Sequence, residues 1–384
     1  MTDRLKILLS GMVAGDPHQG GASWAVLQYF LGLRSLGHDV VLVEPLRAPP
    51  DRSDPLDPAG DVVRYFASLP HLRGHAALLA SDREETVGIP FDELLRFASD
   101  ADVLINVSGM LANERLLEPI PVRAFLDLDP GFVQVWHVTG EDMGLDRHTH
   151  WVSVGQSIGR PGCPIPTCGK SWIATVPPVA LDHWPVTPAP PGAAFTSVGH
   201  WRSYGSIEHD GIHYGQRAHS LRPLIDLPRH VDARFQLALG IHPAERRDIE
   251  ALEENGWDLV DPVEVAGSPD RYAAFIRDSL AELGIAKSGY VASRSGWLSD
   301  RSACYLASGR PVVAQDTGFG DHLPTGEGLL SFSTRDEAAA AVEEVQRSWR
   351  RHGEAARDLA EQHLDARTVL ARLLSNLGQT GARI

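Results

Sequence analysis

The chain has 384 residues, which is long for one hydrophobic core and points to two domains. Its hydrophobic content of 43%, without an apolar run long enough for a bilayer or a signal-peptide pattern, predicts a globular cytoplasmic protein with no membrane span. A formal net charge of −15 argues against nucleic acid as a partner, and three cysteines fit a reducing compartment rather than a disulfide framework.

From the start, Leu5–Ser10 reads as a buried strand that runs into a loop rich in glycine, Gly11 to Gly21. Helical spacing follows from Trp24 to Leu36, Gly37 ends it, and residues 38–44 return as a second strand. This is a β-α-β unit whose first loop lies at the carboxyl end of a strand, where open α/β sheets bind ligands. Within the loop His18 is a candidate for proton transfer, against the plainer reading of a surface histidine. Residues 45–60 are rich in Pro, Asp and Arg and read as a loop, followed by helices over 61–68 and 91–99 and a strand over 102–106. A further strand, 123–129, places Asp127 and Asp129 on one face. Asp129 is therefore an acid-base or acceptor-binding candidate, or else a cap for the Pro130-Gly131 turn.

Strand-like Trp151–Val154 precedes Cys163-Pro-Ile-Pro-Thr-Cys168, which reads as a proline-stiffened loop because no further zinc ligands lie near it. Residues 184–192 hold four prolines, the composition of a stiff connector, and the expected division is residues 1–184, a linker over 185–192, and residues 193–384. The second half restarts with a strand over 194–199 followed by Arg202, a possible phosphate contact or a surface arginine. A hairpin is expected around Asp210-Gly211, then a strand over 235–240 and helices over 244–255 and 271–283. Residues 285–291 carry Lys287, a second possible phosphate contact or a strand-end lysine at the surface.

The stretch Ser293–Asp300 comes next, with a helix to Gly309 and a buried strand over 310–318. Ser299 is placed to cap that helix, whose free amides and positive dipole end suit a phosphate; Arg294 offers a planar donor fork, and Gly296 allows close backbone approach. A strand at 329–332 and helices over 335–350 and 354–374 complete the pattern.

The order Arg294-Ser-Gly-Trp-x-Ser299, a helix, Gly309-Arg-Pro-Val-Val313 and Asp316-Thr-Gly-Phe319 resembles the donor-binding segment of GT-B glycosyltransferases, and the Gly20-Gly21 loop resembles their first loop. The resemblance implies two Rossmann-like α/β domains facing a central cleft, the first for the acceptor and the second for a nucleotide-sugar. It implies donor contacts from Gly20, Gly21, Arg202, Lys287, Arg294, Ser295, Gly296, Ser299, Asp316, Thr317 and Gly318. By position it adds His137 to His18 and Asp129 as catalytic candidates. No glutamate lies between Arg294 and Gly309, so the ribose-binding glutamate common in such enzymes is missing or replaced. The implied activity is sugar transfer from a nucleotide-sugar to a small-molecule acceptor, with no metal and no cofactor beyond the co-substrate. A sugar-nucleotide epimerase and a non-catalytic phosphosugar-binding protein stay open as alternatives.

Overall fold

The computed structural model describes residues 4–47 and 54–379. Of the loop expected over 45–60, residues 48–53 lie outside the described residues, and residues 45 and 46 belong to a strand.

Two mostly parallel sheets organise the chain. The first contains β1 (Lys6–Ser10), β2 (Asp39–Leu46), β3 (Ala76–Ala80), β4 (Thr86–Gly88), β5 (Val103–Val107), β6 (Val122–Asp127), β7 (His150–Ser153) and β8 (Trp172–Ala174), in the order 4-3-2-1-5-6-7-8. Only β4 runs antiparallel. The second contains β9 (Phe195–His200), β12 (Phe235–Gly240), β13 (Asp258–Leu259), β14 (Ala281–Gly284), β15 (Val312–Gln315) and β16 (Leu329–Phe332), ordered 13-12-9-14-15-16 and wholly parallel. A separate hairpin pairs β10 (Ile207–His209) with β11 (Ile212–Tyr214) around Asp210-Gly211, both at positive φ as that turn requires.

Strands buried on both faces explain the near-continuous apolar runs: Ile7, Leu8 and Leu9 of β1 are fully buried. Strand order reverses between β1 and β5 in one sheet and between β9 and β14 in the other, and each reversal opens a crevice at the carboxyl ends.

The first helix runs Gly20–Ser35, four residues earlier than its apolar spacing indicates, because the two glycines begin the helix. The second half departs further from expectation. Helical residues stop at Arg277, and Ala281–Gly284 is a central strand that the expected helix over 271–283 had absorbed. Residues 288–293, for which no element was expected, form a short helix.

The chain crosses between the sheets twice, and the crossings touch. Val179 donates its N–H to the Leu364 carbonyl at 2.8 Å, and Ala366 donates to the Val179 carbonyl at 2.9 Å. A π-helical turn over Ala360–Leu364 leads into helix Ala366–Gln379, which lies on helix Gly20–Ser35; Gly32 leaves the space that Leu370 and Ala366 fill. The connector is held as well. Arg310, fully buried, donates to the carbonyls of Thr187 (2.8 Å) and Arg277 (3.1 Å).

Candidate functional site

The carboxyl ends of both sheets border one cleft of about 570 Å³. From the first half come residues 16–22 after β1, Ser108 after β5, and Leu128 and Asp129 after β6. The second half supplies the ends of β9 and β12, Pro262, Val263, Lys287, Tyr290, Trp297 and Ser299–Arg301, together with Arg217.

The cationic side of the cleft is built at the reversal between β9 and β14. Arg217 donates to the carbonyls of His200 (2.9 Å) and Ile285 (3.0 Å), and no carboxylate among the described residues pairs with it. Gly199 has no side chain because the Arg217 guanidinium occupies that space. Burial, reinforced by neighbouring Arg301, pulls the Arg217 pKa down to about 9, so it remains charged at neutral pH. Arg301 donates to Glu282 at 2.5 Å and to the Val198 carbonyl at 3.0 Å. Burial works most strongly against its charge, but Glu282, Tyr272 and Tyr305 together outweigh it and the net shift is upward. Beside them Ser299 caps helix Asp300–Ala307 by accepting the Arg301 N–H, as expected, so the positive end of that helix borders the cleft.

Lys287 completes the set. Its ammonium stands 3.0 and 3.2 Å from the two oxygens of Asp129 and lies over the rings of Tyr204 (4.1 Å), Phe132 (5.1 Å) and Tyr290 (5.5 Å). Burial lowers its pKa, with Asp129 opposing. The hydroxyls of Tyr204 and Tyr290 also donate to Asp129. A carboxylate holding two phenols and an ammonium has little lone-pair capacity left for a proton. Asp129 therefore stands at the cleft as expected, but as a junction between the halves rather than as a free base.

Of the other sequence candidates, His18, Gly20 and Gly21 line the cleft. His18 is exposed and left-handed at φ 65, with its ring edge-on to Tyr65 at 5.7 Å. The glycine pair serves close approach of the two halves: a Cβ on Gly20 would run into the Ser268 carbonyl and reach 2.7 Å from the Ala266 oxygen, and one on Gly21 would meet Tyr272.

The remaining candidates lie outside the cleft lining. Arg202 is tied to Glu245 at 2.6 Å. Arg294 is left-handed at φ 43 and points to Asp316 (2.8 Å) and Asp321 (3.6 Å). Ser295 is fully buried, and its carbonyl accepts the Ser157 N–H at 3.0 Å. Gly296 accepts from Gln156 at 3.2 Å and abuts Ser157 and His322, so this stretch docks the halves together instead of opening to a ligand. Asp316 holds Arg294 and accepts the Gly318 N–H at 2.8 Å. Thr317 is buried, with its hydroxyl bonded to the Trp297 carbonyl, and Gly318 (φ 87) lies against the backbone of Arg294. His137 sits half-buried in the last turn of helix Phe132–Val138, away from the cleft lining. No group of three or more His, Cys, Asp or Glu among the described residues is arranged to hold a metal ion.

Sequence reasoning missed Arg217, Arg301, Tyr204 and Tyr290. Arg301 directly follows the predicted cap and its first helical residue, and that placement was a usable signal.

Residues 233–375 match the family described as Glycosyl transferase-like. Among solved structures, an alpha-glucosyltransferase in complex with UDP and a 13-mer DNA containing a central A:G mismatch aligns over 98% of this chain and 100% of its own, at 12% identity and a TM-score of 0.62. The chain has the GT-B fold. An alpha-glucosyltransferase with UDP-glucose and DNA containing an abasic site aligns over 97% of this chain and 98% of its own, at 13% identity and a TM-score of 0.63. Anabaena Alr3699/HepE in complex with UDP and glucose aligns over 98% and 100%, at 11% identity and a TM-score of 0.58. No curated protein matches. The DNA complexes overturn the expectation that nucleic acid has no place with this architecture. A net charge of −15 averages over the whole chain and says nothing of one side of one cleft. No helix among the described residues is long and apolar enough to cross a membrane.

Proposed function

We propose that the cleft takes a nucleoside-diphosphate sugar, with its diphosphate against Arg217, Arg301, Lys287 and the amides that open helix Asp300–Ala307. The supporting observation is Arg217, a half-buried guanidinium that no carboxylate among the described residues pairs with, at the point where two strands diverge. Leaving such a charge uncompensated is costly unless a ligand anion completes it. As the bond from the anomeric carbon to the diphosphate breaks, its electron pair passes to the leaving oxygen, and these cations stabilise that charge without a metal. The acceptor hydroxyl enters from the first half, its oxygen forms the new bond to the anomeric carbon, and His18, whose ring no carboxylate among the described residues holds, takes its proton.

The test is calorimetric titration of UDP and other nucleoside diphosphates into the wild type and Arg217→Ala. At least tenfold weaker binding by a folded variant is expected, and equal affinity would remove Arg217 from the site. Donor turnover is then assayed against an acceptor panel that includes sugars, phenols and DNA containing an HMU base.

A further inference from the structure

β2 reads Asp-Val-Val-Leu-Val-Glu-Pro-Leu, and beyond its half-buried first residue, Asp39, Glu44 is a fully buried carboxylate among apolar residues. No cation among the described residues pairs with it. One oxygen accepts the N–H groups of Val13 (3.0 Å) and Ala14 (2.8 Å), and the other accepts that of Gly15 (2.7 Å). Three successive amides of the first loop therefore converge on one anion from the neighbouring strand. The fit leaves no slack: a Cβ on Gly15 would lie 2.5 Å from the carboxylate. Directly downstream the chain enters Asp16–Gln19, where His18 takes a left-handed conformation that costs a histidine energy. The loop is also braced from the side. The Ser23 hydroxyl donates to the Val13 carbonyl at 2.7 Å and meets the Tyr65 hydroxyl at 3.1 Å, and the Tyr65 ring abuts His18.

A buried anion in a strand that an aliphatic residue would serve better needs a compensating purpose. We propose that Glu44 is a positioning residue: by gathering the amides of Val13, Ala14 and Gly15 it fixes the loop and holds His18 at the acceptor side of the cleft. Burial raises the Glu44 pKa while the three amides pull it back, as expected where backbone amides compensate an enclosed charge. Glutamine cannot reproduce this, because its NH₂ group faces amides that are themselves donors.

The proposal rests on His18 having the role given above, and the test separates the two. Release of UDP from UDP-glucose, with water or an acceptor present, is compared among wild type, Glu44→Gln, His18→Ala and the double variant. Each single change is expected to lower kcat at least tenfold with KM for UDP-glucose within twofold. The double variant should be no more than twofold slower than His18→Ala, because groups acting as a unit are not additive. Two full, multiplying losses would show that Glu44 acts independently of His18 and would overturn the proposal. If the wild type releases no UDP, the donor reading fails and a ligand-free measurement decides about Glu44. The His18 imidazole proton resonance, identified by its absence in His18→Ala, should move in Glu44→Gln while that of distant His230 stays in place. An unmoved His18 resonance would overturn the proposal. Should Glu44→Gln fail to fold, Gly15→Ala breaks the same contact from the loop side and is read in the same two ways.

Discussion

Lys287 and Asp129 form an ion pair across the cleft at 3.0 Å, with the ammonium from one half of the molecule and the carboxylate from the other. Each is mostly shielded, at 16% and 22% side-chain exposure, so the pair is neither a loose surface contact nor free of desolvation cost. Substitutions of the two partners should therefore act on UDP binding in opposite directions. Lys287→Met removes a cation from the diphosphate site and should weaken UDP binding about tenfold, roughly 1.4 kcal/mol. Asp129→Asn frees the ammonium for phosphate and should strengthen binding severalfold. Both should lower the urea midpoint, and calorimetric titration alongside urea unfolding checks the pair. Changes of UDP affinity in the same direction would contradict this account.

Arg294 and Arg217 make a second contrast. Arg294 spends its guanidinium on Asp316 and Asp321 outside the cleft, so Arg294→Ala should leave the dissociation constant for UDP within about twofold, in place of the weakening that its sequence motif implies. Arg217→Ala should cost at least tenfold under the same titration.

These two arginines show how legible the site was. The fold could be read because alternating strands and helices leave long-period apolar signals, and helix Phe91–Ser99 and strand Phe235–Gly240 fall where the spacing puts them. β14 escaped because it is four residues long and carries Glu282, a charge neutralised by Arg301 that interrupts the apolar run. Site residues obey no period. Arg217 acquires its role from the carbonyls of His200 and Ile285, the latter 68 positions away, and nothing in its local sequence reports that geometry. Gly296 does need to be glycine, but the close neighbours are Ser157 and His322 of the protein itself.

Gly20→Ala should loosen the contact between halves. The added carbon would strike the Ser268 backbone, which cannot rotate away as a side chain can, and a loss of about 2 kcal/mol in urea unfolding is expected. Gly205→Ala, with open space around it and φ in the ordinary range, is the matched control and should change stability by less than about 0.5 kcal/mol. Equal effects would mean that the helix does not abut the second half.

His148 predicts a pH dependence. Its Nδ1–H donates to the Gly144 carbonyl at 2.8 Å, and Nε2 accepts from the Asn106 amide at 3.0 Å, so the ring is held neutral. Burial pulls its pKa down to about 4 from the ordinary 6.5. Between these values the unfolded chain carries the extra proton, so the contribution is complete above pH 6.5 and is lost as pH falls towards 4. The full swing is of the order of 3 kcal/mol. Urea unfolding at pH 7 and pH 5 should show a steeper loss for the wild type than for His148→Gln; parallel losses would show that His148 does not titrate in this way.

The touching crossovers at Val179 and Ala366 have a consequence for how the protein is made. The helix that covers Gly32 on the first half is supplied by residues 366–379, which leave the ribosome long after the first sheet's final strand. Until then the Gly20–Ser35 helix presents an uncovered apolar face, so the half synthesised first is the half whose core is completed last. During translation, that face is where a holding chaperone would find its grip.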